Sequence, residues 1–445
     1  MTQVDVLIVG AGAAGMMCAI EAGRRGRRVL VVDHARAPGE KIRISGGGRC
    51  NFTNLEGDRI ERFVGGNPHF AASALKRFGP KDFIARVDRA GIRWHEKTLG
   101  QLFCDDSAKQ IIRMLTDGMR EAGVELRLNT GAFSVERRGE GFSVVLSDGA
   151  GVTADALVIA TGGKSIPKMG ATGWAYETAR GLGLKVTDTR PALVPLTFDP
   201  DFLARHAALS GLSTEATARN DRIAFREALL FTHRGLSGPS VLQISSYWRE
   251  GEALEFDLAP DTDIAAALRA AKGANGKQAV QTALGHIVPR RLADAVLERT
   301  GTPPRKLAEL PDKALDALGE AVNRWRVKPT GSEGYRTAEV TLGGVDTNEL
   351  AQKTMQAKSV PGLFVIGEAA DVTGWLGGRT GLLDIVRPPC RRSSSGPGSP
   401  EACPERPSAP CGLQAISSGA GPRPSRGRRQ GRWGRSGRRR GAAGL

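Results

Sequence analysis

Val4, Val6, Leu7, Ile8 and Val9 make a mostly apolar run that suits a strand buried on both faces. The alanine-rich stretch from Ala13 to Ala22 suits a helix packed closely against it, and Val29 to Val32 predict a second strand. Helical periodicity recurs around Ala71 to Phe78 and from Lys109 to Ala122. Glu125 to Leu128 and Phe142 to Leu146 alternate apolar with polar residues and predict a small strand layer. Ala156 to Ala160 is apolar again and ends in Thr161-Gly162-Gly163, a buried strand that would return the chain to a parallel sheet beside the first loop. From about Pro191 the pattern changes. Leu193-Val194-Pro195-Leu196 opens an inserted region of strands, alanine-rich helical sequence runs from Ile264 to Leu318, and Ala338 to Val345 closes the insertion. Gly362 to Asp371 reads as one more buried strand, ending in Gly367 and the two acids Glu368 and Asp371.

These elements predict an α/β fold in four stretches. Residues 1–190 form the first part of a Rossmann-like dinucleotide-binding domain, 191–350 an inserted β-barrel-like and helical cap, and 351–378 the return segment. Residues 379–445, rich in Arg, Gly, Pro and Ser without a sustained apolar period, read as a disordered tail.

At 445 residues, 40% hydrophobic and 25% charged, the chain is globular and long enough for two or three cores. No stretch is apolar enough to span a membrane, and Met1 to Asp5 lead straight into the first strand without a signal-like leader, so a cytoplasmic protein with no membrane partner is expected. The formal charge of +16 is uneven, because the tail holds 14 arginines and no lysine against Asp384, Glu401 and Glu405. The body is mildly basic, so a small-molecule substrate is expected rather than nucleic acid, and the oligomeric state stays open. The six cysteines show neither disulfide nor zinc spacing, and no metal site is expected. Cys50 lies near the glycine loops without a CxxC partner, and reads as a small buried residue.

Between the first strand and helix stands Gly10-Ala11-Gly12-Ala13-Ala14-Gly15, with Asp33 18 residues past Gly15 and His34 beside it. Gly10 permits a tight turn, Gly12 lets backbone approach a pyrophosphate, and Gly15 lets helix and strand pack. The helix N-terminus offers unpaired N–H groups to an anion, and Asp33 can accept from ribose hydroxyls, which argues against a 2′-phosphate there. An ordinary strand-to-helix loop is the alternative; strand, glycines, helix, second strand and acid in order favour the dinucleotide. A second glycine loop, Lys41-Ile42-Arg43-Ile44-Ser45-Gly46-Gly47-Gly48-Arg49, interleaves cations with bare backbone. It suits a flat ring lying on glycines with cations near phosphates or a developing anion, the alternative being a solvated basic loop. Acids such as Glu368 and Asp371 at a strand end can hold a ribityl chain or water, or simply cap a turn.

The opening fingerprint, Ser45 to Asn54 (SGGGRCNFTN), Ala160-Thr161-Gly162-Gly163, Phe231 to Pro239 (FTHRGLSGP) and Gly367-Glu368-Ala369-Ala370-Asp371 together resemble the BaiN-type family of bacterial FAD-dependent oxidoreductases. The likeness runs from residue 1 to about 378. It implies tightly held FAD in a two-dinucleotide-binding-type domain with an insertion over the flavin. It also implies a nicotinamide electron donor, NADH or NADPH, although one dinucleotide fingerprint is visible. One branch of the family reduces unsaturated bile-acid intermediates. Carried over, Gly10, Gly12, Ala13, Ala14, Gly15, Asp33 and His34 would hold the ADP half. Lys41, Arg43, Ser45, Gly46, Gly47, Gly48 and Arg49 would line pyrophosphate and isoalloxazine, with Thr161, Gly162, Gly163, Gly367, Glu368 and Asp371 completing the pocket. Catalytic residues do not follow from the pattern, since a flavin carries the hydride chemistry itself. His233 is the titrating candidate for acid–base work, weighed against a histidine that fixes the Leu236-Ser237-Gly238-Pro239 turn.

The tail departs from this family. Members continue from Gly-Gly-Tyr-Asn to Gln-Trp-Ala-Trp and a final helix, whereas here Gly377-Gly378 is followed by Arg379-Thr380-Gly381. Codons for Phe-Gln-Trp-Ala-Trp read one base late give Ser-Ser-Gly-Pro-Gly, the sequence of Ser394 to Gly398, so a frameshifted C-terminus is expected, with rearrangement or coincidence as alternatives. Two other readings stay open. One is a non-catalytic flavin-binding protein. The other is a flavoprotein whose basic arm, Arg423 to Arg440, binds nucleic acid by charge.

Overall fold

The computed structural model of the protein describes residues 1–377. The expected tail and its altered frame lie outside the described residues.

β1 (Thr2–Val9) and β2 (Val29–Val32) pair in parallel, with Val6 opposite Val29 and Val9 opposite Val32. Layers cover both faces of the sheet, and Leu7, Ile8, Leu30, Val31 and Val32 are buried completely. That two-sided burial is why neither run alternates. α1 (Ala13–Gly23) is the crossover between the strands, and it packs on the helix Ala108–Glu121, where Gly118 gives room to Ile20. On the other side of β1 lies the strand Gly151–Ile159, also parallel. Its first half pairs antiparallel with Gly141–Leu146, and its second half, Leu157 to Ile159, pairs parallel with Leu363–Val365. The strand read as a return to the sheet and the late strand both take their expected places.

One expectation is corrected. Glu125 to Leu128 does not belong to a small separate layer, because Glu125–Arg127 pairs in parallel with β2 as an edge of the same seven-stranded sheet. Alternation there records an edge strand with solvent on one side. Gly141–Leu146 does join an antiparallel hairpin, with Ala132–Arg138, but this too extends the main sheet.

The insertion has its own core. Seven antiparallel strands run in the order Trp325–Val327, Leu254–Asp257, Ser213–Arg219, Ala224–Thr232, Gly235–Ser237, Leu196–Thr197 and Gly331–Ser332. The two outer strands are consecutive in the chain, joined by residues 328–330, so the sheet curls until its edges meet without a hydrogen-bonded seam. Helices Ile264–Ala274, Val280–Gly285, Arg290–Thr300 and Asp312–Asn323 add Leu268, Leu284, Leu292 and Leu318 to its core. The chain rejoins the first core slightly before residue 351, since Val345 and Leu350 are buried there. Two short ladders stitch the end of the insertion and the return segment to earlier chain: Arg190–Ala192 with Val340–Leu342, and Phe63–Val64 with Thr373–Gly374. Among the described residues no helix is long and apolar enough to cross a membrane.

Candidate functional site

Gly10 leaves β1 with φ of 113°, and a Cβ at Gly15 would stand 1.9 Å from the Gly10 carbonyl oxygen, so turn and helix touch through bare backbone. Gly12 is different. A Cβ there would meet nothing within 4 Å, and as N-cap of α1 it leaves the first N–H groups without a side-chain cap. These donors face an open cavity of about 420 Å³ lined by Gly10, Gly12, Ala13, Ala14, Asp33, His34, Lys41, Thr161, Gly162, Gly367 and Glu368. Gly131, Met169 and Thr172 join them and carry no motif that sequence reasoning could have used. Asp33 ties the end of β2 to the glycine loop, its Oδ2 accepting from Ala11 N at 2.6 Å and its Oδ1 from Ala35 N at 2.8 Å.

Lys41, Ala13 and Glu368 also line a second cavity of about 540 Å³, so the two adjoin. Gly46 and Gly47 line its floor and Gly48 follows them, with φ of 58°, 66° and 86° along the run. Three successive left-handed residues leave little choice but glycine, and at Gly46 a Cβ would also strike the Phe103 ring. Gly46 and Gly47 line the cavity with Ser45, Cys50, Asn51, Gln101, Glu339 and Trp375.

Where the cavities meet, Glu368 organises a polar network. Its side chain, 11% exposed, accepts from Lys41 Nζ at 3.0 Å, Ser165 Oγ at 2.9 Å and Thr341 N at 2.8 Å. Lys41 Nζ also donates to Ser165 Oγ at 2.6 Å. Three distant stretches therefore converge on the carboxylate of a fourth, a multi-partner anchor of the kind that holds a buried charge in place. Ser165 and Thr341 were not legible as site residues, since their roles come from the fold bringing residues 41, 165, 341 and 368 together.

Several expected residues line neither cavity. Gly15 packs helix on loop. Gly163 leaves room behind the network, where a Cβ would lie 2.6 Å from Glu368 Oε1. Arg43 pairs with Glu40 at 3.4 Å, Arg49 is exposed, and Gly48 sits outside the lining. Asp371 is buried, and its Oδ2 accepts from Gly66 N at 3.1 Å, holding the strand Phe63–Val64 beside the return segment. Burial pushes its carboxyl pKa up, although the Gly66 hydrogen bond opposes this. A folded-state pKa above the unfolded one means the folded protein binds the proton more tightly, so this group's contribution to stability falls as pH rises through the raised pKa. Asp371→Asn is expected to remove that pH dependence and stay within about 1 kcal/mol of wild type at neutral pH, whereas Asp371→Ala loses about 1–3 kcal/mol through the orphaned Gly66 N–H. Urea unfolding across pH checks both.

His233 lies apart from both cavities. It is exposed in the turn after Ala224–Thr232 and lines, with His206, a separate cavity of about 140 Å³ that shares no residue with the other two. The turn itself is held by Thr232, whose hydroxyl donates to the Gly235 carbonyl at 3.2 Å and accepts from Arg234 N. Cys50 is buried, and desolvation pushes its thiol up to about 11, so it keeps its proton. Cys50 and Cys104 are free thiols. No group of metal-ligating side chains is found among the described residues.

A family model described as the HI0933-like protein Rossmann domain matches residues 4–380. The ribosomal RNA dihydrouridine synthase of Escherichia coli (strain K12) is 50% identical over 382 residues, covering 85% of this chain and 94% of that protein. The ribosomal RNA dihydrouridine synthase of Haemophilus influenzae is 42% identical over 378 residues, 84% of this chain and 93% of that protein. The 3-dehydro-bile acid delta(4,6)-reductase of Clostridium scindens is 28% identical over 389 residues, 83% of this chain and 94% of that protein.

Proposed function

The chain belongs to the HI0933-like family, and from that premise we propose that it is an FAD-dependent oxidoreductase that reduces the C5–C6 double bond of uridine in ribosomal RNA. The observation that carries the reading is 50% identity over 94% of the Escherichia coli synthase, against 28% for the bile-acid reductase. The BaiN-type resemblance pointed to a small unsaturated substrate, and the mildly basic body pointed away from nucleic acid. The relatives favour a nucleobase instead, with the same reaction class, addition of a hydride and a proton across a carbon–carbon double bond.

The residues fit FAD. The uncapped N-terminus of α1 beside open Gly12 suits a pyrophosphate, Asp33 suits a ribose, and the two adjoining cavities suit the two halves of the cofactor. FAD held there supplies hydride transfer, with NADH or NADPH as the proposed electron source.

This chain's own residues do the rest. Lys41 and Glu368 hold the junction between the cavities rigid through their shared bonds to Ser165. Asn51 and Gln101, whose amides bond each other at 2.9 Å, offer a polar edge, and Trp375 lines the same cavity as an aromatic wall, a combination that suits a planar base. Glu339 stands in the same cavity with its carboxyl engaged by no hydrogen bond or ion pair among the described residues. Glu339 is exposed toward the cavity, and the protein atoms around it raise its carboxyl pKa above the ordinary value. We assign it the proton delivered to C5 as hydride reaches C6, so that the carboxyl loses its proton while the double bond becomes single.

Full-length protein expressed in an Escherichia coli strain lacking its 50%-identical relative is expected to restore dihydrouridine in ribosomal RNA, read by nucleoside mass spectrometry. Soluble, flavin-bearing protein with no dihydrouridine in the RNA would overturn the reading.

A further inference from the structure

One wall of the second cavity continues outward as an exposed ledge. The strands Asn51–Asn54, Gln101–Cys104 and Trp94–Glu96 form a small antiparallel sheet in that order. Asn51 stands opposite Phe103 and Phe103 opposite His95, so the three share one face, and Asn51, Gln101 and Phe103 line the cavity. Lys97 extends that face. Its N–H donates to the Gln101 carbonyl at 2.8 Å, and its Nζ lies 4.0 Å from the centre of the Phe103 ring. Exposed Lys97 makes no ion pair among the described residues, whereas Arg93 and His95 of the same hairpin pair with Asp106 and Asp105.

The turn of that hairpin works against its own sequence. Leu99 and Gly100 are successive left-handed residues, with φ of 58° and 75°. Glycine takes this conformation freely, but at Leu99 it brings the Cβ close to a carbonyl oxygen. Neighbours hold the strained residue in place: Asn54 Nδ2 donates to the Leu99 carbonyl at 2.8 Å, and Leu55 N donates to the Gly100 carbonyl at 2.9 Å. The Leu99 side chain is 58% exposed, so burial within the fold does not offset the strain. Leu55 beside the turn is exposed too, as is Ile44 on the cavity lining. Phe133, an exposed apolar residue elsewhere, stands on the ordinary extended strand Ala132–Arg138. A strained, exposed leucine fixed two residues from the cavity wall at Gln101 is one kept for a partner rather than for the fold.

The partner that fits this combination is a stack of RNA bases. A base that enters a closed pocket must leave its neighbours, and an apolar side chain such as leucine can fill the gap it leaves. A lysine beside the gap suits the phosphate of an adjoining nucleotide. We propose that Leu99, backed by Leu55, is a wedge that takes the place of a uridine whose base enters the second cavity, with Lys97 against the neighbouring phosphate. The inference rests on the proposed reading for the identity of the substrate, and its test reads unstacking separately from reduction.

The full chain would be titrated into an RNA hairpin whose stem carries a uridine beside 2-aminopurine, which brightens when its neighbour unstacks, and into an eight-residue oligouridylate, which has no stem to open. Wild type is expected to bind both and to brighten the hairpin. Leu99→Gly and Leu99→Asn suit the left-handed backbone and remove the apolar side chain, so the fold should hold. Both should lose the brightening and bind the hairpin about 10–100-fold more weakly, the loss of one leucine's apolar burial, with oligouridylate affinity unchanged. Leu99→Met keeps an apolar wedge and should resemble wild type. Lys97→Ala should weaken both RNAs and lower the slope of log affinity against log salt by about 0.7. The arginine-rich tail contributes equally to every variant. The proposal is overturned if Leu99→Gly and Leu99→Asn brighten the hairpin as wild type does, if they lose both RNAs equally, if Phe133→Ser loses as much, or if wild type leaves the hairpin dark. Leucine-dependent unstacking without restored dihydrouridine would keep the wedge and overturn the reduction.

Discussion

Gly12→Ala is expected to empty the protein of flavin while leaving its fold intact, and Gly15→Ala to damage both. The two glycines are three residues apart in one loop, yet their surroundings are opposite. At Gly15 the added methyl would lie 1.9 Å from the Gly10 carbonyl oxygen and 3.3 Å from Ala160 Cβ, so helix and loop must separate. Overpacking against backbone that cannot yield belongs at or above the top of the usual range, about 3 kcal/mol. At Gly12, where φ is −78° and nothing lies within 4 Å of a Cβ, alanine meets no protein atom and stability should change by less than about 1 kcal/mol. The same methyl occupies the space in which a pyrophosphate would approach the α1 N–H groups. Visible flavin absorbance of the purified variants, with thermal unfolding of each, checks the pair. A Gly12→Ala protein as yellow as wild type would remove the cofactor from this cavity, and an unchanged melting temperature for Gly15→Ala would contradict the packing.

Glu339→Gln should slow uridine reduction by about 10²–10⁴-fold, the usual contribution of a positioned general acid. Flavin content and oligouridylate affinity should hold, because the carboxyl touches no partner within the described protein. A carboxylic acid donates only while protonated, so wild-type turnover should fall as pH rises through its raised pKa, and the glutamine variant should be flat over the same interval. Single-turnover rates across pH decide it. Equal rates and superimposable profiles would remove Glu339 from the chemistry, and flavin loss in Glu339→Gln would make it a cofactor-holding residue instead.

Much of the dinucleotide side of the site was legible because its information is local. Gly10, Gly12 and Gly15 act through backbone geometry within six residues, and β1, α1 and β2 follow one another in the chain. The apolar runs at Val29 to Val32 and Ala156 to Ala160 were long and unbroken enough to be read as buried parallel strands. Glu125–Arg127 was not, since three residues at an edge carry too little pattern to say which sheet they join. His233 misled for the opposite reason. Its residue type suited acid–base chemistry, but the inserted sheet carries it to a cavity of its own. Asp371 sat in a strong motif, and the fold spends it on Gly66.

By itself, then, the sequence determined the α/β class, the glycine turn and its acid, and the existence of an inserted domain, because each depends on neighbours within one or two elements. Tertiary structure decided what those pieces do together. Lys41, Ser165, Thr341 and Glu368 are separated by as many as 327 residues and meet on one carboxylate. Glu339 and Trp375 become cavity walls. None of these meetings leaves a periodic trace along the chain, because each partner's local sequence is satisfied whether or not the others arrive.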